Sequence, residues 1–133
     1  MLKRMAIALV LLFSAAALPV HAADKPLDYS PGLIKELLAE GKTLFVDYAA
    51  SWCGTCRSQE NTIAELRAEN LAYDAAMTFI RVDWDTYEKA EVRTSRDIPR
   101  RSTLIVLRGD AELGRIVADT SKDNIRKLMD LGL

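Results

Sequence analysis

Phe45-Val46-Asp47-Tyr48-Ala49-Ala50-Ser51-Trp52-Cys53-Gly54-Thr55-Cys56 joins an apolar, strand-forming run to two cysteines at the start of a helical segment. Thiols spaced Cys-x-x-Cys at a strand-to-helix junction can pass between dithiol and disulfide. Cys53 and Cys56 are the only cysteines of the 133-residue chain, so any disulfide within one chain joins them. The loop so closed is too short to restrain the unfolded chain as a long-loop staple does, which favours a chemical use over a structural one. A closed zinc or iron–sulfur site needs about four Cys or His ligands, more than one chain supplies. Two thiolates do suit Cu(I), so shuttling of that ion stays open.

Upstream of this stretch, residues 1–22 have the pattern of a secretory signal. Lys3 and Arg4 form the charged start, Met5 to Leu18 the apolar run, and Val20-His21-Ala22 a small-residue cleavage site. The apolar run falls short of the roughly 20 residues that span a bilayer, so cleavage before Ala23 is expected in place of an anchor. The absence of a cysteine near that site disfavours a lipoprotein. The style is bacterial, which makes the periplasm the expected compartment. Residues 23–133 then form one small domain with a single core. They carry three more acidic than basic side chains, which gives no footing for a nucleic-acid or anionic-membrane partner. Processing would also remove His21, the only histidine, and with it Cys-His and Ser-His-Asp catalysis.

Within residues 23–133, Ala23 to Tyr29 reads as a lead-in with a brief edge strand, and Ser30-Pro31 as the cap and first position of a helix. Leu33, Ile34, Leu37 and Leu38 recur at helical spacing, and Gly41 ends that segment. Thr43 to Ala49 is a buried central strand, anomalous only in Asp47. The composition is helical from Gly54 to about Asn70, with Ile63 and Leu66 on one face. Asn70 to Ala76 reads as a connection, Met77 to Val82 as a second strand, and Tyr87 to Thr94 as a short charged helix. Ser95 to Ser102, with Pro99 and three arginines, reads as a loop. Thr103 to Leu107 and Leu113 to Ala118 form a hairpin, and Thr120 or Ser121 caps a last helix containing Ile125, Leu128 and Met129. The order is α-β-α-β-α-β-β-α.

This chain resembles the thioredoxin family: Trp52-Cys53-Gly54-Thr55-Cys56, Asp47 six residues before Cys53, Phe79 to Val82 leading to Asp83-Trp84-Asp85, and Thr103 to Leu107 after a proline-containing loop all match. The resemblance implies a thioredoxin fold, an α/β domain with a central mixed β-sheet flanked by helices. Phe45 to Cys53 is similar to the active-site strand of thioredoxins and of the C-terminal periplasmic domain of DsbD-type reductases. The sequence departs from the family in two places. Thr55 stands where cytoplasmic reductants of the family have proline. Ser102 occupies the register of the family's cis-proline, with Pro99 three residues earlier; either Pro99 supplies that bond or it is absent, and Pro99 is expected near the site.

The resemblance and the chemistry together assign roles. Cys53, at a helix N-terminus that favours an anion, is the nucleophile, and Cys56, one turn later, resolves the mixed disulfide. An aspartate on an apolar strand is costly to bury charged, so its proton affinity rises toward neutral pH. The resemblance implies that Asp47 accepts the Cys56 proton through a water, with Arg81 either its pairing cation or a strand-end arginine exposed to water. Trp52, Gly54, Thr55, Pro99 and Ser102 are the expected substrate-contacting residues, and Arg100 and Arg101 candidates for selecting acidic partners. The expected activity is that of a periplasmic thiol:disulfide oxidoreductase, leaning to reduction, without a bound cofactor or metal. It would work on protein disulfides and dithiols as a monomer, fed by a membrane electron donor. A Cu(I) metallochaperone and a non-catalytic binding module are the alternatives.

Overall fold

The computed structural model describes residues 23–133, so the expected leader lies outside the described residues. Its centre is the quoted strand. The edge strand is β1 (Leu27–Asp28), followed by helix α1 (Leu33–Ala39) and by β2 (Thr43–Ala49), in which every residue is buried. Next come α2 (Gly54–Glu69), α3 (Ala72–Ala76) and β3 (Met77–Asp83). Two single turns, α4 (Trp84–Tyr87) and α5 (Glu91–Thr94), precede β4 (Thr103–Arg108), β5 (Ala111–Val117) and α6 (Lys122–Asp130). The five strands lie in the order β1-β3-β2-β4-β5. β3 runs parallel to β1 and β2, while β4 is antiparallel to β2 and β5, which gives the expected mixed sheet.

Burial on both faces accounts for the nearly continuous apolar runs of β2 and β4. On one face Phe45, Phe79, Leu104 and Val106 pack with Ile63 and Leu66 of α2 and with Ile125, Leu128 and Met129 of α6. On the other, Val46, Tyr48, Ile80 and Ile105 pack with Ile34, Val92 and Ile98. Gly114 interrupts β5 because α6 closes down on it. A Cβ there would lie 2.5 Å from Leu131 Cδ1 and 2.9 Å from Leu128 Cδ1.

Four local expectations are corrected. The first helix is entered through Gly32, at φ 91°, and not through Ser30-Pro31; the Ser30 carbonyl accepts the Leu33 N–H in a turn instead. A left-handed entry suits glycine, and no side chain caps the helix. The connection after Asn70 contains α3, started by Asn70 Oδ1 accepting the Ala72 N–H at 3.1 Å. Tyr87 to Thr94 is not one helix: the first turn begins at Trp84, capped by the Asp83 carboxylate on the Thr86 N–H, and a second begins at Glu91. Finally, β5 starts at Ala111, with its register slipping between Val106 and Leu107. Gly41, at φ 82°, and Ser121, accepting the Asn124 N–H, terminate and cap their helices as expected.

Candidate active site

The β2 strand delivers Cys53 to the first turn of α2. Cys53 is itself the N-cap: its Sγ accepts the backbone N–H of Cys56 at 3.2 Å, and the two residues are disulfide-bonded with Cα atoms 5.3 Å apart. An N-cap satisfies one of the unpaired helix-end donors, and the same donors favour a sulfur that carries negative charge. Both cysteines are buried, with Ala49 and Ala50 packed against them. Access comes from the rim. Gly54 is exposed, and a Cβ placed on it would meet nothing within 4 Å. Thr55 is half-buried, and Trp52 is 57% exposed.

Trp52 is held from two sides. Its Nε1–H donates to Asp85 Oδ2 at 2.9 Å, and the Arg101 guanidinium lies 4.3 Å from its ring centroid. An aromatic face attracts a cation at that distance. The indole is thus fixed beside the cysteines while more than half of it faces solvent. Tyr48 and Trp84 are packing residues: Tyr48 is fully buried with its hydroxyl donating to the Val92 carbonyl at 2.8 Å, and Trp84 is half-buried.

Ser102 lies across the disulfide, and not Pro99. The Ser102 Oγ is 3.2 Å from Cys53 Sγ and 3.1 Å from Cys56 Sγ. The expectation that Pro99 lies near the site is corrected: Pro99 is exposed and lines a surface hollow with Arg93, Thr94, Asp97 and Ile98. No peptide bond among the described residues is cis. Ser102 meets the sulfurs from a left-handed backbone, φ 63°, uncommon for a residue other than glycine. Its main chain is pinned on both sides. The Ser102 N–H donates to the Tyr48 carbonyl at 2.7 Å, and its carbonyl accepts from the Ala118 N–H at 2.8 Å and from Gln59 Nε2 at 3.1 Å. Local strain of this kind persists where the surroundings over-determine it.

Gln59 is the residue that sequence reasoning missed. It is fully buried on α2, and its amide bridges the Ser102 and Asp119 carbonyls, the second at 3.0 Å. The available signal was its position one turn after Cys56, on the same helix face as Ile63 and Leu66.

Asp47 shares the α2 side of the sheet with Phe45 and Ala49, and α2 covers it. Its Oδ1 is buried without a hydrogen-bond partner. Burial pushes the carboxyl up to about 8, the negative charge of Glu60 adds to the rise, and Arg81 opposes it. A cleft of about 300 Å3 reaches this carboxyl between α2 and the sheet, lined by Glu60, Ile63, Arg67, Phe79 and Arg81 among others. The Asp47–Arg81 pair is not formed. Arg81 Nε instead donates to Glu60 Oε1 at 3.2 Å, and its Nη1 lies 3.6 Å from Asp83 Oδ1.

This arrangement sets a thiolate-favouring helix start, a partner sulfur one turn on, and a protonatable acid on the strand that leads to them. A family model, Thioredoxin, matches residues 32–131. The chain belongs to the thioredoxin family. Its Cys53–Cys56 pair is joined as a disulfide within the matched segment. It is 33% identical to Thioredoxin H2-1 of Oryza sativa subsp. japonica over 89 residues, covering 67% of this chain and 59% of that relative. To Thioredoxin H5 of the same plant it is 29% identical over 122 residues, covering 82% of this chain and 86% of that one. Among solved structures, Trxlp of Edwardsiella tarda superposes with a TM-score of 0.66 at 26% identity, covering 77% of this chain and 97% of that one. The reduced thioredoxin pre-protein of Schistosoma mansoni gives 0.62, also at 26% identity, covering 83% of this chain and all of that one.

Proposed function

We propose that this protein is an exported thiol:disulfide reductase of the periplasm, acting on protein disulfides. The observation that carries the reading is Cys53 as N-cap of α2, disulfide-linked to Cys56 just after the strand that carries the buried Asp47 carboxyl. In the dithiol form, Cys53 thiolate attacks one sulfur of a substrate disulfide, forming a mixed disulfide and releasing the other substrate sulfur as a thiolate that takes up a proton. Cys56 loses its proton toward Asp47 and attacks Cys53 Sγ. The second substrate thiol leaves, and the protein is left as the Cys53–Cys56 disulfide. Two electrons pass from protein to substrate.

Trp52, Gly54 and Thr55 form the substrate-contacting rim, and Ser102 faces the reacting sulfurs beneath it. The signal pattern of residues 1–22 supports export, with Ala23 as the first residue of the mature chain. The periplasm is kept oxidising, so repeated reduction needs a dithiol donor at the membrane, as in DsbD-type systems. Insulin reduction by the dithiol form of residues 23–133 tests the activity. The reading requires turnover that Cys53→Ser abolishes, and an inactive wild-type dithiol would refute it. Cell fractionation with N-terminal sequencing tests the location, with a start at Ala23 in the periplasmic fraction as the expected result.

A further inference from the structure

The Ser102 hydroxyl is fully buried, and among the described residues its Oγ is hydrogen-bonded to the two cysteine sulfurs alone. A buried hydroxyl needs a partner, and the two sulfurs supply it. Its own N–H and carbonyl are held by Tyr48, Ala118 and Gln59, so the left-handed turn aims the side chain at the sulfur pair. In the disulfide, both sulfurs are weak acceptors. In the dithiol form, one is a thiolate, and a hydroxyl donating to an ionised acceptor makes a much stronger bond.

We infer that Ser102 is a catalytic residue whose hydroxyl donates to whichever cysteine is thiolate, Cys53 at attack and Cys56 at resolution, and so favours the dithiol form over the disulfide. The inference rests on the proposed thiol–disulfide exchange. No proton is transferred to or from Ser102. When Cys53 Sγ becomes part of the mixed disulfide its charge leaves with the released substrate thiolate, and the hydroxyl turns to Cys56 Sγ, equally close, as that thiol ionises. One donor thereby serves both half-reactions without movement of the backbone.

Other charged groups on the surrounding elements are engaged elsewhere. Arg101 stacks on Trp52, and Asp85 accepts from its Nε1. Arg81 pairs with Glu60 and Asp83, and the Asp119 carboxylate accepts from the Ser121 N–H and Asn124. Arg57 is exposed on α2, and Asp47 lies under that helix. None of these is hydrogen-bonded to either sulfur, which leaves the Ser102 hydroxyl and the Cys56 N–H, donating to Cys53 Sγ, as the direct donors.

The test compares wild type with Ser102→Ala and Ser102→Gly. Glycine is at ease at φ 63°, so the second variant removes the hydroxyl without backbone strain even if alanine folds poorly. Two readouts are taken on the full mature chain: thiolate absorbance against pH, and the equilibrium between dithiol and disulfide in glutathione buffers. Loss of the hydroxyl is expected to lower the thiolate fraction at neutral pH about tenfold. It should also move the glutathione equilibrium about tenfold toward disulfide, about 30 mV more negative. A folded glycine variant within twofold of wild type in both readouts would overturn the inference. Neither readout uses a protein substrate, so failure to reduce protein disulfides would count against the proposed function alone.

Discussion

Asp47 and Arg81 are register partners on β2 and β3, yet the Arg81 guanidinium turns to Glu60 and Asp83 and leaves the Asp47 carboxyl buried. The two charges that would neutralise each other in an apolar strand pair are thereby kept apart. A carboxyl so placed, pushed up to about 8, holds its proton near neutral pH and can exchange it there.

Stability should record that placement. An acid whose folded-state proton affinity exceeds its unfolded one makes the fold bind more protons between the two values, so stability falls as pH rises from about 4 to about 8. Asp47→Asn removes the effect. The stability difference between variant and wild type, both as disulfides, should change by on the order of 5 kcal/mol in favour of the variant from pH 3 to pH 9. Urea unfolding at several pH values measures it, and parallel curves for the two proteins would contradict the assignment.

The same substitution separates the chemical role from the energetic one. If Asp47 takes the Cys56 proton, Asp47→Asn leaves formation of the mixed disulfide unchanged and slows its resolution about tenfold or more at pH 7. Rapid-quench trapping of the mixed disulfide with a model peptide resolves the two steps. Equal slowing of both would assign Asp47 to the structure of the site and not to the proton.

Much of this architecture was legible because local pattern and burial agree. Thr43 to Ala49 is apolar on both faces, as a central strand requires, and Asp47 stood out against it for that reason. The helix entry at Gly32 was not legible, since Ser30-Pro31 satisfies the same local rule and only the backbone turn decides between them. Ser102 was placed in the right register by its distance from the β4 strand, but Pro99 competed because proline is a strong signal and a left-handed serine is a silent one. Gln59 was hidden among the polar residues of α2. A helix sequence shows which face is apolar, and not that a polar side chain on that face meets two carbonyls from a distant loop.

Gln59 should matter to that loop more than to the helix. Gln59→Ala leaves a cavity and the Asp119 carbonyl without its donor, with an expected loss of roughly 2–3 kcal/mol. Gln59→Leu fills the space and should lose less, because the buried Oε1 that lacks a partner is removed with the amide. Thermal unfolding of the two variants orders them, and a leucine variant less stable than the alanine one would contradict the bridging role.

Trp52 should behave in the opposite way. The ring is more than half exposed, so Trp52→Ala is expected to change stability by about 1 kcal/mol or less. Its loss removes apolar contact from the rim, and KM for a protein disulfide should rise several-fold while the rate with a small disulfide stays near wild type. Parallel kinetics on insulin and on a small aromatic disulfide decide the matter, and equal losses on both would place Trp52 in the chemistry and not in docking.

Cys53 attacks and Cys56 resolves in the proposed exchange. Cys56→Ser, expressed in the mature chain and mixed in its reduced form with a disulfide-bonded protein, measures it directly by mass spectrometry. The expected result is a persistent mixed disulfide on Cys53, released by added dithiol, and none when Cys53→Ser is used in its place. A Cys56→Ser chain that forms no adduct, or a Cys53→Ser chain that traps substrate equally well on Cys56, would contradict it.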